Sequence, residues 1–122
     1  MYFSCWRYGL IEMINFDRAE KAAEYLRDNA ERYGQLIGHC KSLEHKRKVV
    51  FGQAFLGAEG KNIAEREAKA HVSAEFQSIV NDIQNAWAEK ETLHTMIEYS
   101  KIICDLSRSV GRAGKDTDRA HL

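Results

Sequence analysis

Apolar residues recur at steps of three and four along most of this chain, the spacing of helices that bury one face. Ala22, Leu26, Ala30, Tyr33, Ile37 and Cys40 set a first stripe, and Leu43, Val50, Ala54 and Phe55 carry it onward. The pattern predicts one long helix from about Phe16 to Gly57. Asp17 stands three residues before Glu20, the spacing of a capping box at a helix start. Gly57-Ala-Glu-Gly60 breaks the period, and Gly57 is expected to end the helix in a left-handed conformation. Gly34, Gly38 and Gly52 lie inside the stripe, where each costs about 1 kcal/mol relative to alanine. Gly34 to Gly38 therefore marks a place for a bend or a close helix contact.

Asn62-Ile-Ala-Glu65 repeats the cap signal and opens a short helix through about His71, and Ser73 followed by Glu75 caps another. Beyond this corner Phe76, Ile79, Val80, Ile83, Ala86, Trp87, Leu93 and Ile97 form an apolar face. Met96, Ile103, Leu106 and Val110 continue it after a small angular drift. A second long helix is expected from about Ala74 to Val110, ended by Gly111 and Gly114. Two long helices joined by a compact corner return antiparallel. The fold class is therefore all-α, a long coiled-coil-like helical hairpin with a short helical corner. Counting from a corner in which Gly57 faces Ala74, residues near Leu26 should lie opposite residues near Leu106.

The division that follows is an irregular aromatic appendage at residues 1–14, the hairpin at 15–111 and a polar tail at 112–122. The start, Met1 to Tyr8, is aromatic and without helical period, and Met13 is an alternative start, since the helical pattern begins just after it. The stripes are wide for a single seam, so the expected assembly is a homodimer forming a four-helix bundle. Leu26, Tyr33, Ile37, Ile83, Trp87 and Ile97 are the candidate anchors of core or dimer.

Composition sharpens this picture. The 122 residues contain no proline, where usage of about 5% would predict roughly six, and uninterrupted helices are the simplest cause. The 18 basic and 18 acidic side chains cancel, which leaves no overall field to attract nucleic acid or an anionic membrane. No apolar stretch approaches the roughly 20 residues of a membrane span, and the first ten residues lack the parts of a signal peptide. Cys5, Cys40 and Cys104 are odd in number and widely spaced, as expected of free thiols in a reducing compartment, and a cytoplasmic location is the default expectation.

Candidate chemistry is sparse. Glu91-Thr-Leu-His94 is half of a di-iron helical ligand set, but no second such pair accompanies it, so solvated neighbours are the simpler reading. No metal, cofactor or catalytic residue is assigned, and the chain is expected not to be an enzyme. Lys41, Lys46, Arg47 and Lys48 form one basic group, and Arg108 and Arg112, with Lys115 and Arg119, a looser second. These are candidate phosphate contacts. The competing expectation pairs the C-terminal basics with Glu20, Glu24, Asp28 and Glu31 across the hairpin, and the zero net charge favours it.

One stretch is more distinctive than its physics requires: Phe55-Leu-Gly-Ala-Glu-Gly60-Lys-Asn-Ile-Ala-Glu-Arg-Glu-Ala-Lys-Ala70, followed by Ser73-Ala-Glu-Phe76. With Phe16-Asp-Arg-Ala-Glu-Lys-Ala-Ala-Glu-Tyr-Leu26 and Asp105-Leu-Ser-Arg-Ser109, it resembles a family of small helical proteins of tailed bacteriophages and prophages. The resemblance covers about Met13 to Gly111. It implies encoding near recombination and single-strand DNA-handling genes, and carries over no catalytic residue. Many relatives have a tryptophan before the terminal Arg-Ser, where this chain has Asp105-Leu106.

Glu59, Lys61, Glu65, Arg66 and Lys69 are the candidate recognition corner of the hairpin. Their structural reading is local: Glu65 completes a cap, and Arg66 pairs with a neighbouring carboxylate. Three functional expectations follow. The first is an accessory protein that binds an unidentified protein partner, itself as a homodimer. The second is a single-stranded-DNA-handling factor, and the third a small inhibitor of a host enzyme or defence complex.

Overall fold

The computed structural model describes residues 16–120, and side chains through residue 113. The N-terminal appendage and its alternative start lie outside the described residues. Three helices follow one another: α1, Phe16–Gly57; α2, Ile63–His71; and α3, Ala74–Ala120. No strand occurs among the described residues, and α1 and α3 pack against each other. The described residues divide into two compact units, 16–31 with 94–120, and Arg32–Leu93.

The second unit holds the best-defined core. Cys40 and Leu43 of α1 meet Ile79 and Ala86 of α3, with Val50, Phe76 and Ile83 packed against them. These positions are the predicted stripes, and their burial is what holds the two helices together, since neither is stable in isolation. Phe51, Phe55, Phe76 and His71 extend the core into the corner, with ring centroids 4.8 Å apart for Phe51 and His71 and 5.7 Å for Phe51 and Phe76.

The corner is built as its caps predict. The Glu65 amide donates to Asn62 Oδ1 at 2.8 Å, and the Lys61 amide donates to Glu65 Oε2 at 3.1 Å, so two orphan donors are satisfied at the start of α2. Asn62→Ala is expected to lower stability by about 1 kcal/mol, read as a reduced urea midpoint; an unchanged midpoint would show that the corner stands without its cap. Ser73 Oγ accepts from the Phe76 amide at 3.3 Å and opens α3.

Three helix ends differ from expectation. No described glycine is left-handed, Gly57 included. The end of α1 is instead closed by α2: Arg66 donates to the Phe55 carbonyl at 3.3 Å, and Lys69 Nζ donates to the Glu59 carbonyl just beyond. Basic side chains supply the donors that the last carbonyls lack. At the other end, α3 does not stop at Val110 but runs through Gly111 and Gly114 to Ala120, so the expected tail is largely helical. Two glycines weaken a helix without breaking it, and no proline follows. Asp17 likewise sits inside the first turn of α1, where its carboxylate holds Lys21 at 3.2 Å rather than capping the helix.

In the first unit Ala22, Ile97, Ser100 and Ile103 are buried. The Cys104 thiol lies 3.9 Å from the Ala19 carbonyl, and Arg18 donates to the Tyr99 hydroxyl. Seven residues further along each antiparallel helix, Leu26 comes level with Ile97 rather than with Leu106. The expected register fails because counting from the corner assumes that both helices leave it level.

Candidate binding surfaces

Four features of the surface bear on function. The first is the corner itself, where all five candidate recognition residues serve the fold through side chain or backbone. Glu65 completes the cap, Lys69 reaches the Glu59 carbonyl and lies 3.6 Å from Glu65, and the Lys61 amide is the donor to Glu65. Arg66 meets no carboxylate among the described residues. Its guanidinium lies 4.8 Å from the centre of the Phe55 ring, with Nε buried and without a partner. The expected ion pair is replaced by a cation–π contact and a carbonyl, because Arg66 is drawn against the end of α1.

The second feature is basic. Lys41, Lys46, Arg47 and Lys48 are all exposed, and none has an acidic partner among the described residues. They do not form one face. Lys41 and Lys48 share a line of α1, whereas Lys46 and Arg47 project to other sides of the helix. Arg108 and Arg112 belong to the other compact unit, and Arg108 stands 3.9 Å from Asp105 of its own helix. Of the acids expected to pair across the hairpin, Glu20, Glu24, Asp28 and Glu31, Asp28 holds Arg27 at 3.2 Å, while the side chains of Lys115 and Arg119 lie outside the described residues. Neighbours one to four residues apart on a helix reach each other at less entropic cost than distant helices do.

The third is apolar. Met96, Tyr99, Ile102, Leu106 and Val110 of α3 are between 38 and 55% exposed, forming a strip beside the buried line of Ile97, Ser100 and Ile103. Of the candidate anchors, Ile97 is buried and Leu26, Tyr33, Ile37 and Ile83 are half-buried. Trp87, expected to anchor core or dimer, is not part of the buried core of the chain. It is 38% exposed, its indole N–H donates to Glu44 at 3.2 Å, and Lys90 Nζ sits 3.4 Å from the ring centre. Satisfying the indole N–H keeps that edge of the ring near water.

The fourth is a pair of open cavities along one side of the second unit. One, of about 290 Å³, is lined by His39, Leu43, Asp82, Asn85, Ala86 and Glu89. The other, of about 530 Å³, lies toward the corner, with Val50, Gln53, Ala54, Ser73 and Glu75 among its lining residues. The sequence marked Leu43, Val50, Ala54 and Ala86 as core and Ser73 and Glu75 as a cap but did not place them around cavities, because each cavity is assembled from helices distant in the chain.

Among the described residues no group of three or more His, Cys, Asp or Glu could hold a metal ion, so Glu91 and His94 gain no further ligands. Cys40 is buried and Cys104 half-buried, both as free thiols. The predicted close helix contact at Gly34 and Gly38 is absent, since a Cβ at either would meet nothing within 4 Å. No described helix is long and apolar enough to cross a membrane. No known protein family, curated protein or solved structure matches the chain.

Proposed function

We propose that this chain is a phage or prophage accessory protein that acts without catalysis, by binding another protein, and that it works as a homodimer completing a four-helix bundle in the host cytoplasm. The observation that supports this reading is the exposed apolar strip from Met96 to Val110 on α3. Contiguous apolar surface beside a buried seam is the usual mark of a protein contact. The phage context rests on the resemblance of the corner and helix-start sequences. Capture of partners from host-cell lysate, with half the sample nuclease-treated, tests the reading. A protein recovered from both halves is the expected result, and recovery that disappears with nuclease would overturn it.

A second reading, single-stranded-DNA handling, is favoured by one specific observation: the uncompensated charges of Lys41, Lys46, Arg47 and Lys48. It requires affinity that falls steeply with salt. On this reading the combined Lys46→Ala, Arg47→Ala and Lys48→Ala variant loses at least tenfold in affinity for an oligonucleotide at low salt, each lost phosphate contact lowering the salt slope by about 0.7 for a single strand. Unaltered binding by that variant would remove this reading.

A further inference from the structure

We infer that the second unit receives a second copy of this chain in the groove that joins its two cavities, with α1 of each copy lying over α3 of the other. This rests on the dimer reading above and names its surface and its symmetry.

The two walls of the groove differ in charge: the α1 wall carries one cation, Lys46, and the α3 wall three carboxylates, of which Glu89 is paired with Arg32. On α1, His39, Lys46 and Gln53 recur at seven-residue steps and so follow one line of the helix. On α3, Glu75, Asp82 and Glu89 do the same. The cavities set these lines level with one another, since His39 shares a cavity with Asp82 and Glu89, and Gln53 shares the other with Glu75. Asp82 lines the first cavity, and Lys46 lies on the α1 line between His39 and Gln53. Lys46 and Asp82 are both exposed, and neither has an ion-pair partner among the described residues. The floor is apolar, made by Leu43 and Ala86 in one cavity and by Val50 and Ala54 in the other. Charged walls flanking an apolar floor at heptad spacing are the arrangement that receives further helices of a bundle.

Charge decides what fits. A nucleic-acid strand laid in this groove would run along Glu75, Asp82 and Glu89 and be repelled by them. A second copy presents both walls at once. A twofold axis parallel to the helices sets α1 over the partner's α3 and leaves heights unchanged. It brings Lys46 level with the partner subunit's Asp82. The other twofold, perpendicular to the helices, sets the Lys46 line on its own copy and the acidic line on the acidic one. Complementary walls select the first, and an isologous contact then repeats each favourable pair twice.

The test uses the full chain and two surface variants, Lys46→Asp and Asp82→Lys, with helix content checked by circular dichroism and dimer dissociation followed by light scattering and dilution. Each variant alone places two like-charge contacts across the dyad and is expected to raise the dimer dissociation constant about tenfold or more. An equimolar mixture of the two should form a heterodimer of near wild-type affinity, because both contacts between copies are again of opposite sign. Within each variant chain Lys46 and Asp82 still carry altered, like charges, so recovery on mixing reports contact between copies. A wild-type dimer that neither variant weakens would keep the dimer and overturn this surface. Weakening without recovery on mixing would also overturn it, assigning the pair to a role within one chain. A monomeric wild type at tens of micromolar would overturn both the surface and the dimer.

Discussion

Ile79→Ala is expected to lower the unfolding free energy by about 2–4 kcal/mol, a large part of the roughly 5–15 kcal/mol that holds a domain of this size. Ile79 is 4% exposed and sits among Cys40, Leu43 and Ala86. Two of those three neighbours are small and rigid, so little can move into the space its side chain leaves. The cost should accordingly approach the upper part of the range for isoleucine truncation, where the site cannot collapse around the cavity. Urea denaturation at fixed protein concentration measures it, as a lowered midpoint with unchanged slope. Ile79→Val, which removes one methylene, should cost about 0.5–1.5 kcal/mol. Equal midpoints for wild type and the alanine variant would mean that the α1–α3 seam of this unit is not the core.

Gly60→Val should destabilise by about 1–3 kcal/mol, while Gly52→Ala should stabilise by up to about 1 kcal/mol. The contrast isolates tertiary crowding from helix propensity. A Cβ at Gly60 would lie 2.9 Å from Arg66 Cγ and 3.3 Å from the Arg66 backbone nitrogen. Neither atom can yield easily, because the amide belongs to the first turn of α2 and Cγ carries a guanidinium held on Phe55. The glycine does not have a positive φ, so the demand is for space and not for a left-handed backbone. Gly52 lies in the interior of α1, where a Cβ meets nothing within 4 Å and only the gain in helix propensity remains. Thermal unfolding of both variants tests the pair. A Gly60→Val protein as stable as wild type would show that the corner is loosely packed.

Glycine shows well why parts of this fold were readable and others were not. Gly57 and Gly111 looked alike as helix stops, yet α1 ends at the first and α3 passes through the second. The difference lies in the neighbours. Arg66 and Lys69 fold back onto the end of α1, whereas the glycines near the end of α3 only lower its propensity. Asn62 and Glu65, by contrast, were read correctly, because a capping box closes within four residues and needs no distant partner. Arg66 was expected to find a carboxylate and found Phe55, eleven residues away, across a corner whose angle no local pattern records.

The candidate surfaces divide in the same way. The basic run was visible as a run, but that Lys46 and Arg47 leave the line of Lys41 and Lys48 follows from placing them on a helix. Trp87 read as an anchor of core or dimer by its spacing, and its 38% exposure in the chain follows from where the seam closes. The groove beside Lys46 and Asp82 was invisible, since its two walls are separated by the whole corner.

By itself the sequence determined what local physics can settle. The absence of proline, the three-and-four spacing of apolar residues and the Asn62 and Ser73 caps were enough for two long helices, a short one between them and the faces they bury. These depend on neighbours within a turn or two. Tertiary structure alone decided the register of α1 against α3, the way α2 closes the end of α1, the space denied to Gly60, and which residues of α1 and α3 share a cavity. Each of these is set by atoms far apart in the chain, whose meeting depends on the angle of the corner and the fit of side chains along the seam.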